Sequence, residues 1–397
     1  MARKERSPIT INFLSNNKVE IGGKSDLSDV VILFIVLSLI LATPSPGASS
    51  FVQILLRVLA TSIIRRFIFY SRLEVKILKP IFSHCHLYGL KSKKNLARVL
   101  KIPSPKFFDQ RFLATQVNPF LMNGVRLIEA PSYELKKIQT RIKVSLDHIR
   151  IPEYVFSGIK GRSYVDHAKL HKGKKFVYAI DISAFFPSIS REKVYSFFRS
   201  DLNTSPDVAD ILTSLTTIDL SLTGTEEMEE IEAFLRSKKV NTLNHLISGS
   251  PASPIMSYLA NLDMINELHS YSSKNGLFMT VYVDDIVFSS DEFISNRVTN
   301  RICDIVSKYR YRVSTSKRRL YVNDYPKRIT GVIIDKEGSL AIPNSLRQNI
   351  MIELERCQLH SDNGYSKKRL LGLVASARQI DPNAFPSIYS YARSRPH

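Results

Sequence analysis

The stretch TVYVDDIVFSS, residues 280–290, places two adjacent aspartates, Asp284 and Asp285, between two runs rich in Val, Ile, Phe and Tyr. Each run has the composition of a buried strand. In a flat strand neighbouring side chains point to opposite faces, so adjacent carboxylates share nothing. At a tight hairpin tip the chain reverses, and both can face one side. Two readings stay open at this level. One is a solvated turn, because Asp is a frequent turn residue. The other is a metal site, because carboxylates held together repel unless a divalent cation neutralises them, and oxygen-only ligands suit Mg²⁺.

A chain of 397 residues can bury a sizeable core, and a hydrophobic content of 44% marks it as globular. Its formal charge is +20 and is unevenly spread. Residues 51–150 carry 19 Lys or Arg against 5 Asp or Glu, whereas Asp201–Leu235 has no Lys or Arg and contains TEEMEEIE (225–232). A concentrated basic region attracts polyanions, with nucleic acid or an acidic membrane surface as candidates. The three cysteines, Cys85, Cys303 and Cys357, give no disulfide framework, so a reducing cytoplasm is the expected location. An apolar run at 30–42 is broken only by Ser38. As a helix it would span about 20 Å, short of a bilayer core of about 30 Å. It is expected to be covered by protein, as a buried helix or a subunit contact, with no stable membrane anchor.

Along the chain, 51–70 and 133–150 have helical periodicity, the latter with one basic face. KFVYAIDISAFFPSI (175–189) reads as a strand ending at Asp181, followed by a turn and a helix from about Arg191, with Ser190 as cap. Helices are expected over 205–218, 226–238, the later part of 249–271, and 294–309. Strands are expected at 318–322 and 329–342, with a helical end from Pro343. The mixture, with strands on hairpins, indicates an α+β fold. If the strand ending at Asp181 neighbours the 280–290 hairpin, three carboxylates converge at one sheet edge, as two-metal phosphoryl transfer requires.

The order AIDISAFFPSIS, SGSPASP, VYVDD, STSKRRLY, RITGVIID resembles the polymerase motifs of a reverse transcriptase, in family order. Upstream, GVRLIEAPSYELKKIQTRI (124–142) and FSGIKGRSYVDHAKLHKGKKF (156–176) are similar to its two fingers motifs. The resemblance covers roughly 120–390 and is nearest to bacterial retron and phage-defence reverse transcriptases. HAKLH (167–171) is similar to the retron Asn-Ala-x-x-His, with His167 in place of the asparagine, and Ile329-Thr330-Gly331 is similar to Val-Thr-Gly.

The resemblance implies a right-hand polymerase: an N-terminal helical region (1–100), fingers (101–178), palm (179–342) and a short helical thumb (343–397). It implies two Mg²⁺ held by Asp181, Asp284, Asp285 and the Ile182 carbonyl. Lys317 would protonate the leaving pyrophosphate, Lys160 and Arg162 would grip the triphosphate, and Phe186 would exclude a ribose 2′-hydroxyl. Gly249, Pro251 and Pro254 would form the loop under the templating pair, where Ser248 replaces the usual Gln. Partners would be an RNA template or noncoding RNA, dNTPs and the DNA product, in anti-phage defence. The acidic segment 219–240 is read as an insertion facing solvent or a partner; it and 30–42 are candidate surfaces for self-association or an effector protein. Template-independent or protein-primed DNA synthesis on the same scaffold, and a non-catalytic RNA-binding protein, are the competing functions.

Overall fold

The computed structural model describes residues 10–13, 19–22, 81–322, 325–359 and 364–394. Residues 1–76 and 77–397 are two separate compact units. In the first, strands β1 (Thr10–Phe13) and β2 (Val19–Gly22) pair antiparallel, so the N-terminal region expected to be helical carries a hairpin. The apolar run 30–42 and the periodic segment 51–70 lie outside the described residues.

The second unit mixes helices with antiparallel sheets, consistent with the α+β class. Strands β3 (Val117–Met122) and β4 (Arg126–Pro131) form a hairpin turned at Asn123 and Gly124, both at positive φ. The helix Tyr133–Leu146 follows, capped by Ser132, whose hydroxyl accepts from the Leu135 N–H. Leu135, Ile138, Ile142 and Leu146 recur at helical spacing and are fully buried, which leaves the basic face outward. Gln139 shares the buried stripe, and its amide donates to the Leu215 carbonyl at 3.0 Å.

The centre is a four-stranded sheet ordered β10-β5-β9-β8, with every neighbouring pair antiparallel. It is made of β5 (Phe176–Asp181), β8 (Phe278–Tyr282), β9 (Asp285–Ser290) and β10 (Arg319–Tyr321). Between β5 and β8 in the chain lie β6 (Thr217–Asp219) and β7 (Asn244–Leu246), a separate antiparallel pair. Alternation sorts the central strands between two cores. Tyr178, Ile180, Ile286 and Phe288 join the large core, while Val177 and Val287 join a second core with the C-terminal helices. Strand β8 is not left as an open edge: the Phe156 N–H donates to the Val281 carbonyl, and the Val281 N–H to the Tyr154 carbonyl.

Two expectations change. The segment 329–342 is not one strand. It falls within β11 (Lys327–Ile329), β12 (Val332–Ile334) and β13 (Leu340–Ala341), because Thr330 and Gly331, both at positive φ, reverse the chain. The stretch after SGSPASP is two helices, Ser253–Leu259 and Leu262–Lys274, separated at Asn261. Asn261 carries the break because its side chain bonds the Ser257 carbonyl and the Tyr311 hydroxyl. The acidic segment 219–240, read as a helix facing solvent or a partner, does form the helix Met228–Ser237. That helix sinks Ile231 and Leu235 into the large core and exposes Glu229 and Glu230.

The C-terminal helices Asn344–Leu359, Gly364–Ile380 and Pro386–Arg393 occupy the place foreseen for them after Pro343. Ile350, Leu370, Val374 and Ala377 pack with Ile329, Val332 and Ile334 in the second core. No helix of the described residues is long and apolar enough to cross a membrane.

Candidate active site

Asp181 ends β5 and lies directly opposite Asp285, the first residue of β9. Cross-strand partners share a face of the sheet, so the two carboxylates stand on the same side. Val283 and Asp284 form the two-residue connection between β8 and β9, and the Ile182 N–H donates to the Asp284 carbonyl at 3.0 Å. The sequence expectation that Asp181 would meet the 280–290 hairpin is therefore met in the backbone register. Val283 has φ 57, at a turn position that glycine usually holds. A β-branched residue there is strained by about 1–3 kcal/mol. It is held by the buried Ser157, whose hydroxyl accepts from the Val283 N–H at 2.8 Å.

The electrostatics record the crowding. The Asp285 carboxyl is pushed up to about 7, first by burial and then by the charges of Asp284 and Asp181. Burial and the neighbouring Asp181 also raise Asp284. Lys317 answers them: its Nζ lies 2.7 Å from Asp181 Oδ1. Burial works against that ammonium, but its bond to Asp181 and the three carboxylate charges outweigh it and hold its pKa above the usual lysine value. Like charges directly across a ladder are unfavourable, and this arrangement is relieved by cations.

The donor set fits a hard divalent ion. It is all oxygen, and a lysine ammonium already stands against one carboxylate. The Ile182 carbonyl is available for the same purpose, since the bonds flanking it run from Ser183 N to Arg312 O and from Ser314 N to Asp181 O. Among the described residues no group of three or more His, Cys, Asp or Glu is placed to enclose an ion. An open site of one or two carboxylates, completed by water and substrate phosphates, is the form in which Mg²⁺ is usually held.

The other motifs reach this centre unevenly. The loop 156–162 touches it through Ser157. A Cβ on Gly158 would meet Pro254 Cβ at 2.9 Å, so this loop lies flat against the 248–254 loop. Gly249 is as close to β4: a Cβ there would lie 2.2 Å from the Glu129 carbonyl oxygen. Pro251 is half-buried in the same loop. Arg162 does not project freely; its Nη1 donates to the Pro152 and Val155 carbonyls at 2.6 and 2.5 Å, while Lys160 is exposed. Phe186, in the helical turn Phe185–Ser188, is half-buried against the large core.

Residues 115–334 match the family model for the reverse transcriptase (RNA-dependent DNA polymerase). The chain belongs to that family. This reverse transcriptase family member is 31% identical over 200 residues to the retron Se72 reverse transcriptase of Salmonella heidelberg, covering 48% of the chain and 46% of that protein. It is 26% identical over 274 residues to the retron Mx65 reverse transcriptase of Myxococcus xanthus, covering 68% and 62%. With the retron Ec83 reverse transcriptase of Escherichia coli it is 21% identical over 274 residues, covering 65% and 80%. The match thus spans about half to four-fifths of these relatives' lengths.

Several residues of the family member's site were not singled out from sequence. Glu129, fully buried, binds His245 Nε2 at 2.6 Å and accepts the Ser248 N–H at 2.8 Å, while its own N–H donates to the Ser248 hydroxyl. This network seats the loop that carries Gly249. Ser157 and Thr280 are equally hidden in one-dimensional reading, because a buried hydroxyl looks like any Ser or Thr until its partner is known. Arg126 and Arg328 act on the aspartates through their charge, lowering Asp284 and Asp285 respectively.

Proposed function

We propose that the chain is an RNA-directed DNA polymerase that extends a 3′-hydroxyl with dNTPs on an RNA template. Asp181, Asp284, Asp285 and the Ile182 carbonyl would hold two Mg²⁺. When bound, such ions activate the attacking hydroxyl and stabilise the charge on the triphosphate and leaving pyrophosphate. The single observation that carries this reading is the pairing of Asp181 with Asp285 across the ladder, with Asp284 at the adjoining tip.

Around that centre the chain's own groups have definite tasks in the proposal. Lys317, kept protonated by the carboxylates, carries a proton at Nζ that it can give to the leaving pyrophosphate. Phe186 sets a wall against a ribose 2′-hydroxyl. Lys160 supplies positive charge toward the triphosphate, and Arg162 holds the loop that presents it. Gly249 and Pro251 give the templating base a flat, close-packed floor. In right-hand terms we assign fingers to 101–178, palm to 179–342 and thumb to 343–397. By analogy with the retron resemblance of its motifs, the proposal extends to a noncoding RNA as template and a setting in anti-phage defence.

Primer extension on an RNA of mixed sequence with four dNTPs and Mg²⁺ tests the reading. The expected product is DNA complementary to the template. DNA lacking that complement would overturn templated copying in favour of template-independent synthesis. Tight RNA binding without nucleotide incorporation would overturn the polymerase reading itself.

A further inference from the structure

The acidic segment ends in two lysines that face the catalytic neighbourhood. A cleft of about 990 Å³ is lined by Lys238, Lys239, Asn241, Arg310, Arg312 and Arg318. Among the described residues no Asp or Glu lines it, although the helix Met228–Ser237 that leads into it exposes Glu229 and Glu230. The cleft opens beside Asp181. Ser183, which also lines it, donates its N–H to the Arg312 carbonyl, and Ser314, another lining residue, donates its N–H to the Asp181 carbonyl.

Cations at helix C-termini complement the macrodipole, and Lys238 and Arg310 each follow such an end. That explains each residue alone. It does not explain why both line one cleft. Among the described residues no ion pair engages Lys238, Lys239, Arg310 or Arg312; Lys238 instead lies over the Phe234 ring, 5.6 Å from its centroid. The crowding reaches inward: burial, with the Arg310 charge added, pushes the Lys193 ammonium down to about 8. Clefts lined by one sign of charge focus the field and gather counter-ions.

We propose that this cleft is an outer binding site for polyphosphate, gathering the triphosphate of an incoming nucleotide before it reaches the aspartates, with Lys238 and Lys239 as its distinguishing wall. The inference rests on the polymerase reading. Its lining favours a phosphate chain over a nucleic-acid strand, since sequence-tolerant strand binding uses exposed aromatic platforms. Among the described residues the only aromatic side chain in the lining, Tyr311, is buried. The volume lies at the upper end of the range for small-ligand sites.

The test is the exposed double variant Lys238→Gln/Lys239→Gln. Titration calorimetry at low salt with inorganic tripolyphosphate should show binding weakened about fivefold against the unmodified chain. Steady-state extension should show the KM for dNTP raised about fivefold, with kcat and the Kd for the RNA template–primer unchanged. Unchanged tripolyphosphate affinity together with unchanged KM would overturn the proposal. So would a loss of RNA affinity with KM unaltered, which would make the cleft a nucleic-acid groove. If the unmodified chain makes no DNA yet the variant still loses tripolyphosphate, the polymerase reading fails and the phosphate site stands.

Discussion

His167 Nδ1 lies 2.7 Å from the Thr330 hydroxyl, and its Nε2 lies 2.7 Å from the Thr280 hydroxyl. The first contact joins the two segments in which the retron resemblance was read, HAKLH and Ile329-Thr330-Gly331. Thr280 also bonds His171 Nε2, and His171 Nδ1 reaches the Ser289 hydroxyl. The helix Tyr164–Lys169 is thereby pinned to β8 and to the β11–β12 turn, and His171, which follows it, joins β8 and β9. Thr330 sits at φ 46, a conformation unfavourable for a β-branched residue, and the imidazole bond helps to hold it there.

This network makes stability depend on pH in a definite direction. Burial pushes both imidazoles down to about 3, whereas in the unfolded chain they titrate near about 6.5. Between those values the unfolded state binds more protons, so stability is complete above about pH 6.5 and is lost as pH falls toward 3. At pH 5 the loss should be about 2 kcal/mol per imidazole. His167→Asn, which restores the family's residue, should lessen the fall between pH 7 and 5 by about one proton's worth. Urea unfolding at the two pH values measures it, and equal slopes for both proteins would refute the assignment.

Asp284→Asn and Asp285→Asn, made separately, should each lower nucleotide incorporation by at least ~10³-fold by removing charge that stabilises the transition state. Folding should not suffer. Asp285 is held well above the usual carboxylate range by burial and by the charges of Asp284 and Asp181, so losing its charge removes a cost, and the unfolding midpoint near neutral pH should hold or rise. Near-normal incorporation by either variant would remove that residue from the site.

Much of this centre was legible in the sequence because it sits on strong local signals. Asp181 ends an apolar strand, and Asp284-Asp285 interrupts another. Strand period and turn chemistry therefore placed both before their pairing was known. The amphipathic helix Tyr133–Leu146 was readable for the same reason. What stayed hidden depends on contacts distant in sequence. Ser157 matters through Val283, Glu129 through His245 and Ser248, and Lys239 through arginines some seventy residues away. The acidic helix within 219–240 was legible from its composition, but its anchoring by Ile231 and Leu235 was not, since only two side chains of it are fully buried.

Replacing Phe186 with Ala or Val should raise the ratio of rNTP to dNTP incorporation efficiency. The side chain is only half-buried, unlike Phe185 beside it, so truncation should cost less than the 3–5 kcal/mol typical of a fully buried Phe. An unchanged ratio would make the ring a packing element alone.

Gly249→Ala tests whether the 248–254 loop is held by backbone approach. The added Cβ would lie 2.2 Å from the Glu129 carbonyl oxygen and 3.2 Å from Pro131 Cδ, and neither is the free end of a flexible side chain. The strand or the loop must move, at a cost of about 1–3 kcal/mol. The movement would disturb the Glu129–Ser248 bonds along with the floor beneath the template. Gly372→Ala supplies the contrast. That residue is exposed within the helix Gly364–Ile380, and a Cβ there meets nothing within 4 Å. Alanine should therefore stabilise the chain by up to about 1 kcal/mol. Urea midpoints moving in opposite directions for the two variants are the expected result; a stabilising Gly249→Ala would mean that the loop does not lie against β4.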